Sequence, residues 1–306
     1  MTHPAWLGPL IDARPVLTDG AWGTELQARG LEAGELPDLW NLRFPERVEE
    51  VAGAYVEAGS RVILTNTFRA NRIALGDLPA GDVAQINRAG VEASCRAAKG
   101  RARVFASLGP SGKLLLTGDV DEAALREAFA EQAAALASGG ADAIVVETMA
   151  DLAEAVLAID AARETGLPVV ACMVFDSGKA RDRTMMGHTP EDAASMLTQA
   201  GADVIGANCG VGIEQMVPIC ARLSAATSLP IWIKPNAGLP KLRGSQVVYD
   251  TSPEEFATWL DPLVDAGATF VGGCCGTSPA FIAAMRRHLA NRAPREDGAS
   301  GSGPAR

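Results

Sequence analysis

Residues 139–149 read GGADAIVVETM, and this segment joins the end of a helix to a buried strand. The two glycines end a helical pattern, and the apolar residues that follow predict a strand at 143–149. A strand without polar alternation is buried on both faces, which is typical of a parallel sheet covered by helices. Glu147 follows the apolar run, so a carboxylate is expected at the carboxyl end of this strand.

The same arrangement recurs along the chain. Turns of small residues at 58–60, 200–202 and 266–268 also stand directly before apolar or β-branched runs. Eight parallel strands separated by helices form a (β/α)8 TIM barrel, so the sequence predicts this fold as a single domain. The predicted strands are 16–20, 61–68, 103–109, 143–149, 168–175, 204–210, 231–237 and 270–276.

The clearest predicted helix lies just before residue 139. Asp121 is its expected N-cap, and Leu125, Phe129 and Leu136 share one face at helical spacing, which Gln132 interrupts. We place the whole barrel within residues 1–291. Residues 292–306 are rich in Gly, Ser, Pro and charge, and we expect them to form a disordered tail.

The composition narrows the class of protein. The chain has 306 residues, 48% of them apolar, which is enough for one large α/β domain. Its formal charge of −10 argues against nucleic acid or an anionic membrane as a partner, because both require a basic surface. The sequence shows no run of 18 apolar residues and no signal peptide, so we expect a cytoplasmic protein. Homo-oligomerisation is left open.

Polar residues follow several turns at a constant distance. Asn66 and Glu147 stand seven residues after the glycine of their turn, Cys209 stands eight after, and Cys274 and Cys275 stand seven and eight after. At about 3.3 Å per residue, these offsets place all five at the carboxyl ends of strands. Barrels of this class carry their active sites on that face. The sequence therefore predicts one catalytic cleft.

The stretch GGCCGT at 272–277 indicates the chemistry of that cleft. Adjacent cysteines do not suit an unstrained disulfide, but two neighbouring thiolates suit a soft metal, above all zinc. Cys209 is the candidate for the third ligand, and with no fourth cysteine at a strand end the metal keeps an open position. The alternative is a metal-free barrel whose cysteines only pack. We expect the other three cysteines to be small buried hydrophobes: Cys95, Cys172 and Cys220.

An open zinc site with three thiolate ligands favours alkyl transfer to a thiol, because a substrate thiol loses its proton on binding and stays nucleophilic. The other strand ends suit a small amino acid. Asp19 and Glu147 are expected to receive its ammonium group, and backbone N–H groups near the first strand its carboxylate. The remaining predicted site residues, which bind or brace the substrate, are Gly20, Trp22, Gly23, Asn66, Asn208 and Asn236.

Together these motifs resemble the homocysteine S-methyltransferase family over about residues 10–290. The matching segments are DGAWGTEL (19–26), LTNTFRAN (64–71), GPSG (109–112), VVETM (145–149), GANCG (206–210), KPNAGLP (234–240) and GGCCGT (272–277).

Two further segments are most similar to the homocysteine-binding module of cobalamin-dependent methionine synthase, which we expect here as a stand-alone domain. They are DRTMMGHTPE (182–191) and PNAGLPKLRGSQVVYDTSPEE (235–255). Trp22 stands where the family motif has methionine, and Lys234 stands where a histidine or tyrosine often precedes Pro-Asn.

The resemblance implies a zinc-dependent S-methyltransferase that methylates homocysteine in methionine biosynthesis. It implies that Cys209, Cys274 and Cys275 ligate zinc, and that Asp19 and Glu147 lie near the ammonium group of homocysteine. The methyl donor is then a methylcorrinoid on a separate protein or an onium compound such as S-methylmethionine. Two other functions stay open: a corrinoid-linked methyltransferase of a demethylation pathway with another acceptor, and a non-catalytic barrel that binds zinc and homocysteine.

Overall fold

The computed structural model describes residues 5–76, 78, 82–243 and 246–291. The predicted tail at 292–306 lies outside the described residues. The strands of the described chain are β1 Val16–Leu17, β2 Val62–Ile63, β3 Arg103–Leu108, β4 Ala143–Met149, β5 Val169–Met173, β6 Val204–Gly212, β7 Ile231–Asn236, β8 Lys241–Arg243, β9 Gln246–Val248 and β10 Ala268–Val271.

Eight of these strands form a nearly closed parallel barrel, which confirms the predicted (β/α)8 fold. Their order is β1-β10-β7-β6-β5-β4-β3-β2, and each neighbouring pair in this order is parallel. Between β1 and β2 the backbone N–H of Arg61 donates to the carbonyl of Leu17 over 2.8 Å. β8 and β9 form a separate antiparallel hairpin, which the sequence analysis did not predict.

The helices cover the outside of the barrel. They are α1 Leu7–Asp12, α2 Trp22–Ala28, α3 Trp40–Arg43, α4 Pro45–Ala58, α5 Arg72–Leu75, α6 Asp82–Ala98, α7 Glu122–Ser138, α8 Leu152–Arg163, α9 Pro190–Gln199, α10 Ile213–Ala226, α11 Pro253–Thr258, α12 Leu260–Asp265 and α13 Pro279–Ala290. Short 3-10 turns lie at Pro37–Leu39 and Leu115–Thr117. None of the described helices has the length and hydrophobicity that crossing a membrane requires.

Helix α7 confirms the predicted cap and explains the interrupted apolar face. The Asp121 side chain accepts a hydrogen bond from the N–H of Ala124 over 2.7 Å. Gln132 is fully buried, and its amide donates to the carbonyl of Thr67 over 2.8 Å and to Oδ1 of Asn87 over 3.2 Å. A buried amide needs such partners. The polar residue therefore ties α7 to α6 and to the loop after β2.

The interior of the barrel is apolar toward the amino ends of the strands. The Phe105 ring stacks on the Trp232 ring with centroids 5.9 Å apart, and Trp232 packs on Phe270 at 5.2 Å. Helix α1 packs against the same cluster. Gly206 of β6 makes room for this packing, since a Cβ there would lie 1.8 Å from the carbonyl oxygen of Trp232. Packed side chains therefore fill the interior of this half of the barrel.

The first two strands are shorter than predicted. The expected strands at 16–20 and 61–68 end at Leu17 and Ile63. Beyond those residues a side chain replaces the neighbouring strand as hydrogen-bond acceptor. The N–H of Leu64 donates to a carboxylate oxygen of Asp19 over 2.7 Å. The chain thus leaves the regular hydrogen-bond ladder where functional side chains begin.

Candidate active site

The carboxyl ends of the strands surround a cavity of about 320 Å³. Eight of the predicted site residues line it: Gly20, Trp22, Gly23, Asn66, Glu147, Cys209, Cys274 and Cys275. Three others, Asp19, Asn208 and Asn236, do not line it, and each contacts a lining residue instead. The eight lining residues meet because the strands are parallel, so their carboxyl ends lie on one face of the barrel.

Three cysteine sulfurs come together at this cavity. The Sγ atoms of Cys209, Cys274 and Cys275 all lie within 4.8 Å of one another, and those of Cys209 and Cys275 are 3.8 Å apart. All three are half-buried free thiols. In the part of the chain that the structure describes, no other group of three His, Cys, Asp or Glu side chains converges in this way.

The segment GGCCGT is held between β1 and β7. The N–H of Gly272 donates to the carbonyl of Ile233 over 3.0 Å, and the N–H of Cys274 donates to that of Pro235 over 2.7 Å. At Gly272 a Cβ would lie 2.0 Å from Oγ1 of Thr18, so only glycine fits there. The glycines thus let the cysteine pair reach the end of the barrel in a fixed position.

The third cysteine and the Asn236 side chain complete the backbone frame. Cys209 has a φ of +61°, a left-handed conformation that costs a non-glycine residue of the order of 1–3 kcal/mol. It lies where the register of β6 against β7 shifts, between Asn208 and Gly212. The Cys275 N–H donates to Oδ1 of Asn236 over 3.1 Å, so Asn236 braces the cysteine loop from outside the cavity.

The neighbouring sulfurs favour the thiolate form of Cys275. Hydrogen bonds from Cys209 and Cys274 lower the pKa of Cys275 to about 3, whereas hydrogen bonds with Cys209 and Cys275 raise the pKa of Cys274. One thiolate is therefore shared among three sulfurs. Thiolates are the preferred donors for soft metals such as zinc, so the donor set and its spacing fit a metal with three protein ligands.

Glu147 faces the cavity from β4 and is held by two neighbours. The hydroxyl of Ser107 donates to one carboxylate oxygen over 2.5 Å, and the amide of Asn208 donates to the other over 3.3 Å. Burial raises the pKa of Glu147, and only 7% of the residue is exposed. Asn208 also accepts the N–H of Thr148 over 2.8 Å and donates to its hydroxyl over 2.6 Å. Asn208 therefore positions the carboxylate without lining the cavity.

Asp19 lies behind the cavity and is already fully engaged. One carboxylate oxygen pairs with Nζ of Lys234 at 2.5 Å, and the other accepts the indole N–H of Trp22 over 2.8 Å and the N–H of Leu64 over 2.7 Å. Asp19 is fully buried. The structure therefore gives this carboxylate three protein partners in the place where the sequence analysis expected a substrate ammonium group.

Lys234 is a cavity-lining residue to which the sequence analysis gave no role. It stands two positions after Trp232 on β7, so the alternation of a strand turns both side chains into the barrel. The lysine in the run IWIKPN could have indicated such a role, because a charge inside a buried strand needs a partner.

A second group that was not predicted lies in the short 3-10 turn at Pro37–Leu39. Asp38 lines the cavity, is 2% exposed, and accepts the N–H of Arg69 over 3.0 Å. Burial raises the pKa of its carboxyl to about 6. Asn66 lines the cavity nearby, but its amide donates to Pro37 and Asn41 over 2.8 and 2.9 Å. Asn66 thus braces the loop that carries Asp38.

The chain matches the family model described as homocysteine S-methyltransferase over residues 16–289. It is 33% identical over 304 residues to a methionine synthase of Mycobacterium tuberculosis and 31% identical over 288 residues to one of Mycobacterium leprae. These alignments cover 92% and 88% of this chain. The chain therefore belongs to the homocysteine S-methyltransferase family, a family of methyltransferase enzymes.

The chain spans about a quarter of the length of these curated relatives, 25% and 24% respectively. Among solved structures, it resembles the metallated form of the homocysteine methyltransferase MmuM from Escherichia coli, with a TM-score of 0.77 and 24% identity over 92% of this chain and 99% of that one. The oxidised form of the same protein gives 0.76 and 25%, over 92% of this chain and 98% of that one. These likenesses agree with the barrel described above.

Proposed function

We propose that this protein transfers a methyl group to the thiol of homocysteine and forms methionine, with zinc held by Cys209, Cys274 and Cys275. The observation that carries the proposal is the approach of the three sulfurs to within 4.8 Å at a cavity that Glu147 also lines. Membership of the family and the names of the mycobacterial relatives support the reaction.

The cysteines are the metal ligands in this proposal. When bound, zinc supplies a positive centre that lowers the pKa of an acceptor thiol, while anionic sulfur ligands preserve the nucleophilicity of that thiol. The metallated form of MmuM, a structure that shares this fold, supports a metal-binding role. Among the described residues, no fourth His, Cys, Asp or Glu joins the three cysteines, which suits a catalytic rather than a structural site.

The rest of the cavity binds and orients the acceptor. Glu147 receives the ammonium group, because its carboxylate is exposed to the cavity and is fixed by Ser107 and Asn208. Asp19 acts indirectly, by holding Lys234 and the Trp22 ring that forms part of the cavity wall. Glu147 and Lys234 are buried at the cavity wall, and burial strengthens their charge interactions.

The methyl donor enters from the open side of the cavity. We propose either a methylcorrinoid carried by a separate protein or a small onium compound such as S-methylmethionine. The relatives named methionine synthase are about four times as long as this chain.

Methionine formation from a panel of donors tests the proposal. Purified zinc-loaded protein is incubated with homocysteine and methylcobalamin, a methylcorrinoid protein, S-methylmethionine, betaine or S-adenosylmethionine, and methionine is measured by mass spectrometry. At least one donor should give methionine with the native protein and with Cys95→Ala, a half-buried cysteine outside the cluster. The same donor should give none with Cys275→Ala. Full activity of Cys275→Ala would contradict the proposal.

A further inference from the structure

We propose that Lys234 is the receptor for the carboxylate of the acceptor thiol, and therefore selects thiols that carry an acid group. This inference rests on the proposed function, since it names a contact of the same cavity.

The inference begins with the charges that surround the cavity. Among the residues that the structure describes, Lys234 is the only buried lysine or arginine. The other buried charged groups that line the cavity are the carboxylates Asp38 and Glu147. An anionic group that enters this space is repelled by both carboxylates and is attracted by the buried Lys234 ammonium.

One further cation, Arg69, lines the cavity, but in a different setting. Its side chain is exposed, and it lies beside Asp38, to which its backbone N–H donates. An exposed guanidinium gives a weak, screened attraction, whereas a buried ammonium acts in a low dielectric. Arg69 is therefore the competing candidate that an experiment must separate from Lys234.

Lys234 also has unused hydrogen-bonding capacity. A lysine ammonium has three N–H donors, and within the described chain Nζ has one partner, Oδ1 of Asp19 at 2.5 Å. Only 3% of the lysine side chain is exposed, so water satisfies little of the remainder. A buried charge with unfilled donors is costly unless a ligand completes its contacts. Burial acts to lower the pKa of Lys234, but the negative charges of Asp19 and Glu147 outweigh this effect. The net pKa is raised, so the ammonium stays charged.

Lys234 lies next to the sulfur cluster in the sheet. On β7 it pairs with Asn208 of β6, the residue before Cys209, and it precedes Pro235, whose carbonyl accepts the N–H of Cys274. Lys234 is thus adjacent in the sheet to both parts of the sulfur cluster. Glu147 interacts electrostatically with the same ammonium. An amino acid with its sulfur at the cluster can then place its ammonium group at Glu147 and its carboxylate at Lys234.

The test compares acceptor analogues that keep or lose each charge. Binding to the zinc-loaded protein is measured by calorimetry for homocysteine, for 4-mercaptobutanoate, which lacks the amino group, and for 3-aminopropane-1-thiol, which lacks the carboxylate. Methionine and 3-(methylthio)propylamine form a matching pair for the zinc-free protein, because they bind without a thiol. This second pair separates Lys234 from any effect on the metal.

Lys234→Met should weaken the binding of homocysteine, 4-mercaptobutanoate and methionine about 10- to 100-fold, the range for a lost hydrogen bond to a charged group. Binding of both amines should change less than about twofold, since they lack the group that Lys234 contacts. Arg69→Met should leave the preference for carboxylates intact. An equal loss for acids and amines, or a carboxylate-selective loss in Arg69→Met instead, overturns the proposal.

A double variant and the native protein serve as controls for this test. Lys234→Met leaves Asp19 buried without its cation, which destabilises a fold strongly. The double variant Asp19→Asn with Lys234→Met removes both charges and keeps an acceptor for Trp22 and Leu64, so it should fold and show the same carboxylate-selective loss. If the native protein binds none of the thiols, the proposed function fails. If it binds homocysteine normally and the variants show no selectivity, only the role of Lys234 fails.

Discussion

The two halves of the barrel interior use the same strands for opposite purposes. On β3, β4 and β7 the inward residues change from Phe105, Val145 and Trp232 to Ser107, Glu147 and Lys234 within two positions. The half near the amino ends is a packed layer of rings and branched side chains. The other half holds buried charge around a cavity of about 320 Å³. A step of one strand period thus separates the residues that stabilise the fold from those that bind a ligand.

The largest expected effect is on the packed half. Trp232→Ala should lower the free energy of unfolding by about 3–5 kcal/mol, because it removes a buried ring and leaves a cavity between Phe105 and Phe270. Urea denaturation followed by circular dichroism measures this loss. Trp259→Ala, at a half-buried tryptophan on the outer face of the barrel, should cost clearly less. Equal losses would show that the inner rings do not form a stabilising layer.

The buried carboxyl of Asp38 in the charged half should make the free energy of unfolding depend on pH. Burial raises the pKa of Asp38 from 3.8 to about 6, so the folded state binds its proton more tightly than the unfolded state does. This proton binding stabilises the folded state fully below pH 3.8, and the stabilisation is lost as pH rises through 6. The free energy of unfolding of Asp38→Asn should therefore equal that of the native protein near pH 4. At pH 7 it should be higher by up to about 3 kcal/mol.

Urea denaturation at each pH checks this difference. Asn keeps a side-chain oxygen for the Arg69 N–H, so the substitution removes the charge alone. Asp119→Asn, which makes the same substitution at an exposed side chain, is the matched control. A variant that is less stable than the native protein at pH 7 would contradict the assignment of a raised pKa to Asp38.

A substitution at Glu147 should separate binding from stability. Glu147→Gln should weaken homocysteine binding about 10- to 100-fold, because a neutral amide replaces the charged receptor of the ammonium group. The free energy of unfolding should not fall, since burial already disfavours the charged form of this carboxyl. Calorimetry and urea denaturation check the two parts. Unchanged affinity for homocysteine would remove Glu147 from the proposed site.

The smallest expected effect on stability is at a cysteine of the packed half, which is compared with a cysteine of the cluster. Cys172 is buried in the apolar layer, and Cys172→Ala should cost about 1 kcal/mol of unfolding free energy, the value of a small cavity. Its zinc content should equal that of the native protein. Cys209→Ala should instead lose zinc. Metal analysis after gel filtration distinguishes the two, and zinc loss in Cys172→Ala would show that the layers are not independent.

The fold and the sulfur cluster could be predicted from the sequence because both depend on periodicity. Turn and strand alternate regularly, and Glu147, Cys209 and Cys274 follow their turns at nearly constant distances. Parallel strands convert equal distances along the chain into one shared face. Cys172 and Cys220 are buried as predicted, whereas Cys95 is half-buried.

The partner of each charged side chain could not be predicted in the same way. The sequence places Asp19 and Lys234 at strand ends, but their pairing at 2.5 Å depends on the depth of each side chain inside the barrel. Position along a strand fixes the face and not the neighbour across the barrel. The hairpin β8–β9 was missed for a different reason, since the buried-strand pattern that marked the barrel does not identify a short hairpin outside it.

The most direct test of the account is X-ray absorption spectroscopy at the zinc edge of the loaded protein. The three sulfurs within 4.8 Å predict three sulfur neighbours at about 2.3 Å in the protein alone, and four after homocysteine is added. Cys95→Ala should give the same spectra. Fewer than three sulfur neighbours, or no additional sulfur with homocysteine, would contradict the proposed site.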